Sequence, residues 1–243
     1  MKFQDKIVLI TGGGTGVGEA AAAAFAAEGA QVVITGRRAE KLAQVCQAIT
    51  GAKPVRYFAA DMADRSQVAA LVEWVNAELG SVDILVSNAG VNVRERKLAD
   101  LALEDWDYIM NVNATGAYNI VHALLPQMRA RQDGVIISVS SIAGIRPSIL
   151  AGAAYSASKH AMTALTKVIS LEEKDNGIRA TAIHPGEINT PILDERPVKL
   201  SDEHKANILQ PEDVAAAILF VASLPPRAHV PELTIKPTNA AFA

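Results

Sequence analysis

The chain is poor in several features that would commit it to a specialised class. It has one cysteine, Cys46, so an intrachain disulfide framework is excluded. The helical spacing of Cys46 with Leu42, Val45 and Ile49 assigns the thiol to a small core position. The histidines, at 122, 160, 184, 204 and 229, form no pair one helical turn apart, and no metal is expected. Aromatic residues make up only 5% of the chain, the net charge is -3, and no basic stripe is present. Nucleic acid is therefore not an expected partner. The longest uncharged segment, 108–128, carries Asn111, Asn113, Asn119, His122 and Pro126, which suits a buried helix better than a membrane span. Residues 1–11 show no basic leader, apolar core segment or small-residue cleavage site, so a cytosolic location is expected.

What is present is the ordinary composition of a globular protein, with 50% hydrophobic and 20% charged residues over 243 positions. That length suits one large domain. Apolar runs at 6–11, 31–35, 55–60, 82–87, 135–139, 178–183 and 233–236 alternate with helical patterns. The alternation predicts a single doubly wound, Rossmann-type α/β domain over 1–243, with about seven mostly parallel strands and helices on both faces. A long helix is expected over 103–132, kinked at Pro126. The segment 188–210 is rich in charge and proline and lacks clear periodicity, which predicts a substrate lid with short helical turns.

Between the first strand and helix lies Thr11-Gly12-Gly13-Gly14-Thr15-Gly16-Val17-Gly18. Glycines there allow positive φ and let backbone amides approach a pyrophosphate at a helix N-terminus. The spacing is TGxxxGxG; a GxGxxG fingerprint from Gly14 and Gly16 would need its last glycine at Glu19. A P-loop is excluded because Gly18 is followed by Glu19 and Ala20. Gly12, Gly14, Thr15, Gly16, Val17 and Gly18 are the candidate phosphate-cradling residues. The second strand ends in Gly36-Arg37-Arg38, with no carboxylate for a ribose 2′-hydroxyl and a cation for a 2′-phosphate. NADP(H) is the expected cofactor, held there by Arg37 with help from Arg38.

Tyr155 and Lys159 lie four residues apart at the start of a helical pattern and so share a face. An ammonium beside a phenol favours the phenolate and draws its pKa down, which makes Tyr155 a candidate proton carrier. Serines 138, 140 and 141 precede this helix; strand alternation places 138 and 140 on one face together.

With both ends in place, the chain closely resembles the short-chain dehydrogenase/reductase family along nearly its whole length. The resemblance rests on Thr11 to Gly18, Asp61, Ser87-Asn88-Ala89-Gly90, Asn113 in Asn111-Val112-Asn113-Ala114-Thr115-Gly116, Ser141 in Ser140-Ser141-Ile142-Ala143-Gly144, Tyr155 with Lys159, and His184-Pro185-Gly186. It implies a catalytic tetrad of Asn113, Ser141, Tyr155 and Lys159, with Asn111 the alternative to Asn113. In that tetrad Ser141 would bond the substrate oxygen, Tyr155 would give or take its proton, Lys159 would depress the phenol pKa while holding the nicotinamide ribose, and Asn113 would anchor a water linking Lys159 to solvent. It also implies cofactor contacts from Asp61 and Met62, from Asn88, Ala89 and Gly90, from Tyr155 and Lys159, and from Pro185, Gly186, Ile188 and Thr190. Ser87 stands where many members have a second asparagine. The ending Pro231 to Pro237 departs from the family's glycine-rich close and is similar to the branch of NADP-dependent 3-hydroxy acid and serine dehydrogenases.

The implied activity is interconversion of a small-molecule carbonyl and alcohol, and the implied assembly is a homotetramer or homodimer packed through the helices near 103–132 and 152–174. The rival is a non-catalytic NADP(H)-binding sensor on the same fold. A substrate pocket is expected from 91–97, 142–150 and 187–210, where Arg94, Arg96 and Arg146 are candidates for pairing with a substrate carboxylate.

Overall fold

Runs of valine, isoleucine and leucine make strands that can be buried on both faces, and helices must then cover each face. In the computed structural model, which describes residues 1–240, they form one sheet of seven strands. Residues 241–243 of the expected domain lie outside the described residues. The strands are β1 (Ile7–Thr11), β2 (Gln31–Gly36), β3 (Arg56–Ala59), β4 (Ile84–Ser87), β5 (Gly134–Val139), β6 (Ile178–Pro185) and β7 (Glu232–Ile235). Their order is β3-β2-β1-β4-β5-β6-β7, and every neighbouring pair is parallel. This is the expected doubly wound Rossmann-type sheet.

Strand alternation divides the core into two. Val8, Ile10, Ile84, Val86 and Ile137 face a cluster with Phe25 of α1 (Gly16–Ala27) and Val214 and Ile218 of α8 (Pro211–Ala222). Leu9, Leu85 and Ile136 face the other, with Leu71 of α3 (Arg65–Glu78), Leu124 of α5 (Gly116–Arg131) and Ile169 of α6 (Ala153–Glu172). The alanines of α1 leave its backbone close to the sheet, and Phe25 fills the space that remains, edge-on to Phe3 at 4.9 Å. Cys46 of α2 (Ala39–Ala48) is half-buried against the first cluster, and burial pushes its thiol up to about 11.

The chain order reverses between β1 and β4, and a crevice opens beyond their C-terminal ends. Thr11 fixes its floor: the hydroxyl accepts from the Asn88 and Ala89 amides at 2.9 and 3.0 Å. Asn88 Nδ2 returns bonds to the carbonyls of Thr11 and Gly12 at 3.0 and 3.3 Å.

The expected long helix is corrected in its irregularity. α4 (Leu103–Met110) passes through a π-helical turn at Asn111–Thr115 into α5, which runs unbroken past Pro126. Within this wide turn the Asn113 amide is anchored across the fold. Its Oδ1 accepts from Val91 N at 2.8 Å, and its Nδ2 donates to Val91 O and to Ser158 Oγ, both at 3.0 Å. An extra residue in one turn brings that side chain inward, and such turns recur at functional sites. Segment 188–210 contains a 3-10 turn at Pro191–Glu195 and α7 (Asp202–Ala206), closed by a bridge between Ile188 and Leu209. Among the described residues no helix is long and apolar enough to cross a membrane.

Candidate active site

A cleft of about 620 Å³ lies over the strand ends. Gly12, Gly14, Thr15, Gly16 and Val17 line it, as do Asp61, Met62, Asn88, Ala89, Gly90, Pro185, Gly186, Ile188 and Thr190. Gly16 has φ of +58°, a left-handed conformation that favours glycine, and it lets the chain enter α1 beneath Thr190. Gly18, expected as a contact, does not line the cleft. A Cβ there would stand 2.3 Å from the Gly12 carbonyl oxygen, so its role is to let α1 pack against the turn. Gly18→Ala is expected to destabilise the fold by about 1–3 kcal/mol through this overpacking. A thermal melt should show it as a fall of about 2–4 °C per kcal/mol.

At the β2 end, Arg37 donates to the Tyr108 hydroxyl at 2.7 Å with its guanidinium 5.4 Å from that ring's centre. Arg38 and Lys41 join it on the rim of the cleft. None of the three has an ion-pair partner among the described residues. A Cβ on Gly36 would meet only Leu42 Cδ2, at 3.8 Å, so the cations surround open space. Glycine cradle, helix N-terminus and unpaired cations together fit a dinucleotide that carries an additional phosphate. Sequence reasoning missed Lys41 and Tyr108. Lys41 lies in the first turn of α2, close in sequence to Arg37, whereas Tyr108 arrives from a distant helix that no local pattern marks.

At the other end stand Ser141, Tyr155 and Lys159. Ser141 follows β5 with extended φ of -171° and caps the 3-10 turn Ile142–Gly144, its Oγ accepting from Ala143 N at 3.1 Å. The same hydroxyl lies beside the Tyr155 phenol in the cleft and favours its ionised form. Ser138 and Ser140 are both turned to α6: Ser138 Oγ accepts from Thr166 Oγ1, and Ser140 Oγ bonds the Lys159 carbonyl and Thr163. Ser141 is thus the serine aimed at Tyr155. Asn113 lies behind the cleft wall, bound to Val91 and Ser158, while Asn111 is exposed.

The electrostatics of the pair correct the expectation drawn from spacing. Lys159 is 3% exposed, its Nζ donates to Val139 O at 2.8 Å, and it stands 5.7 Å from the centre of the Tyr155 ring. Burial pulls this ammonium down to about 8. Burial also raises the Tyr155 phenol above its ordinary value, against the opposing effects of the Ser141 hydroxyl and the Arg96 charge. Desolvation outweighs the neighbouring charge, so the phenol holds its proton at neutral pH.

Of the expected substrate walls, Val91, Asn92 and Val93 line the cleft with Pro191, Ile192 and Glu195, and no residue of 142–150 does. Arg94 donates to Asp194 O at 3.1 Å, and Arg96 donates to three backbone carbonyls. Arg146 is exposed and outside the cleft lining.

A family model described as short chain dehydrogenase matches residues 6–200. The chain belongs to the short-chain dehydrogenase family. Among the relatives of this short-chain dehydrogenase is a 3-oxoacyl-[acyl-carrier-protein] reductase of Thermotoga maritima, 34% identical over 231 residues and covering 92% of each chain. A serine dehydrogenase in its closed form with NADP+ superposes with a TM-score of 0.87 at 28% identity, covering 98% of this chain and 97% of that one. A 3-ketoacyl-(acyl-carrier-protein) reductase of Brucella melitensis, complexed with NADH, gives 0.85 at 30% identity, with 97% and 98% covered. Relatives on this fold thus carry either nicotinamide dinucleotide, and the chain's own residues must decide between them.

Proposed function

We propose that this chain is an NADP(H)-dependent oxidoreductase that interconverts a carbonyl and an alcohol on a small molecule. The observation that carries the reading is the convergence of Ser141, Tyr155 and the buried Lys159 at the cleft's end, with the Lys159 ammonium 5.7 Å from the centre of the Tyr155 ring. Bound NADP(H) would supply or accept the hydride. Ser141 and Tyr155 then both address the substrate oxygen, and Tyr155 passes the proton to or from it. Lys159 keeps a positive charge within the site, and Asn113 holds Val91 and Ser158 in register around it.

Segment 188–210 acts as the lid in this reading: Thr190 sits over Gly16, and Pro191, Ile192 and Glu195 reach the substrate end. Exposed Tyr118 of α5 with Val168 and Leu171 of α6 supports assembly of a homodimer or homotetramer through those helices.

The decisive experiment is a screen of NADPH consumption against aldehydes, ketones, 3-oxo acids and quinones. Turnover in one class supports the reading, and NADPH binding without turnover in any class would leave a sensor. Cofactor choice is tested separately. Arg37→Ser removes a charge-assisted contact, and a loss of about 10–100-fold in NADPH affinity with little change for NADH is expected. Equal affinity of the unaltered protein for the two cofactors would sink the preference.

A further inference from the structure

Arg96 is a cation in an unusual place. It is 7% exposed, and it extends from the loop after β4 into the junction of three separate segments. Nε donates to Val93 O at 2.8 Å, one Nη to Leu150 O at 3.1 Å, and the other Nη to Glu195 O. Those carbonyls belong to the loop after β4, the loop leading into α6, and the 3-10 turn that follows β6. Two further bonds brace the same junction, from Asn92 Nδ2 to Ala151 O at 3.1 Å and from Arg94 to Asp194 O at 3.1 Å. The junction also dictates a backbone position. Gly152, with φ of +82°, crosses Arg96 so closely that a Cβ would fall 2.6 Å from Arg96 Cβ and 2.7 Å from its carbonyl oxygen.

The hydrogen bonds satisfy three of the five guanidinium donors, but they do not neutralise the charge. No carboxylate lies within ion-pair distance of Arg96 among the described residues. Glu195 and Arg196, both from the segment after β6, act on it with opposite signs. A buried charge without a counter-charge is costly, and the fold retains it beside a group that can itself become an anion. That group is Tyr155, in the first turn of α6 just beyond Gly152, whose backbone packs directly on Arg96; Arg96 and Tyr155 act on each other electrostatically, and Ser141 and Lys159 share the phenol's end of the cleft.

We propose that Arg96 is a positioning residue that ties the lid to the two loops framing the substrate end and sets an uncompensated positive charge against the Tyr155 phenol. This rests on the reading of Tyr155 as the proton carrier. When alcohol is oxidised, its hydroxyl proton moves to the Tyr155 phenolate oxygen; in reduction, the phenol O–H bond breaks and the proton moves to the substrate oxygen. The phenolate is the state that Arg96 stabilises. The lid can reach its bonded position only when the Glu195 carbonyl meets the guanidinium, so closure and the field at the phenol are joined in one side chain.

The test uses the full chain with Arg96→Gln and Arg96→Lys. Tyr155 is followed without substrate as the ultraviolet phenolate signal lost on Tyr155→Phe, so the readout survives even if no substrate has been found. Removal of the charge in Arg96→Gln is expected to move that titration up by about one pH unit. The rising limb of kcat/KM for alcohol oxidation should follow it. Arg96→Lys keeps the charge and loses the fork. Its titration should stay within about 0.3 unit of the unaltered protein, while KM rises about five-fold or more and cleavage within 191–206 by a protease accelerates. An unmoved titration in Arg96→Gln overturns the proposal. So does a selective rise in KM for acidic over neutral substrates, which would make Arg96 a substrate-binding group instead. If Arg96→Gln does not fold, Arg96→Lys decides alone: a shift of a full unit, or an unchanged KM and protease pattern, overturns the proposal.

Discussion

Tyr155→Phe is expected to bind NADPH as the unaltered protein does while carbonyl turnover falls by about 10²–10⁴-fold, the usual contribution of a positioned proton donor. The substitution is clean for a structural reason. Phenylalanine preserves the ring that Lys159 flanks at 5.7 Å and removes only the phenol oxygen. Because that oxygen acts on the substrate during proton transfer, the loss should appear mainly in kcat and much less in KM. The raised phenol also gives the two directions different pH profiles. Reduction needs the protonated phenol and should stay flat through neutral pH, whereas oxidation needs the phenolate and should climb with pH. Nucleotide fluorescence titration and initial rates measure the two halves of the expectation. Turnover within ten-fold of the unaltered enzyme would remove Tyr155 from the proton path.

Lys159→Met is expected to abolish turnover and to raise the melting temperature at pH 7. The ammonium, pulled from 10.5 to about 8 by burial, carries a penalty on the order of 3 kcal/mol when protonated in both states. Methionine lifts that penalty but leaves the Val139 carbonyl without the donor now 2.8 Å away, a loss of about 1 kcal/mol. The net gain is about 1–2 kcal/mol, or a rise of roughly 2–8 °C. Its pH dependence follows from the sign of the shift. Below about 8 the folded and unfolded chains are both protonated at this lysine and the penalty is complete. Between about 8 and 10.5 the unfolded state holds more protons, so the unaltered protein gains stability with rising pH. The advantage of the variant should therefore shrink over that window. Paired melts at pH 7 and pH 10 test it; a variant that melts lower at pH 7 would show that the Val139 bond outweighs burial.

The sheet was legible because its signal is local. Each strand carries its own apolar run, and the turn at Thr11 to Gly18 announces the nucleotide end by composition alone. The Tyr155 and Lys159 pairing was equally visible, since four residues on a helix fix a shared face. What spacing could not convey was environment. It set Lys159 beside Tyr155 but did not reveal that Nζ turns to Val139 O, or that burial governs both titrations. The π turn escaped for the same reason, since Asn113 within it bonds Val91, 22 residues earlier in the chain. Arg96 looked like a loop arginine open to a substrate because the carbonyls that hold it come from segments 54 and 99 residues later.

The π turn at Asn111–Thr115 also sets a phase. α4 on one side of it brings Tyr108 to Arg37 at the nucleotide end, and the turn itself delivers Asn113 to the wall behind Lys159. Deleting one residue there to restore regular α-helix would rotate everything upstream by about 100°. Tyr108 would leave Arg37 if Asn113 kept its place, or Asn113 would leave Val91 if Tyr108 kept its own. The two ends of the cleft are therefore geared to each other through the winding of one helix, and the length of that turn is as constrained as any side chain in the site.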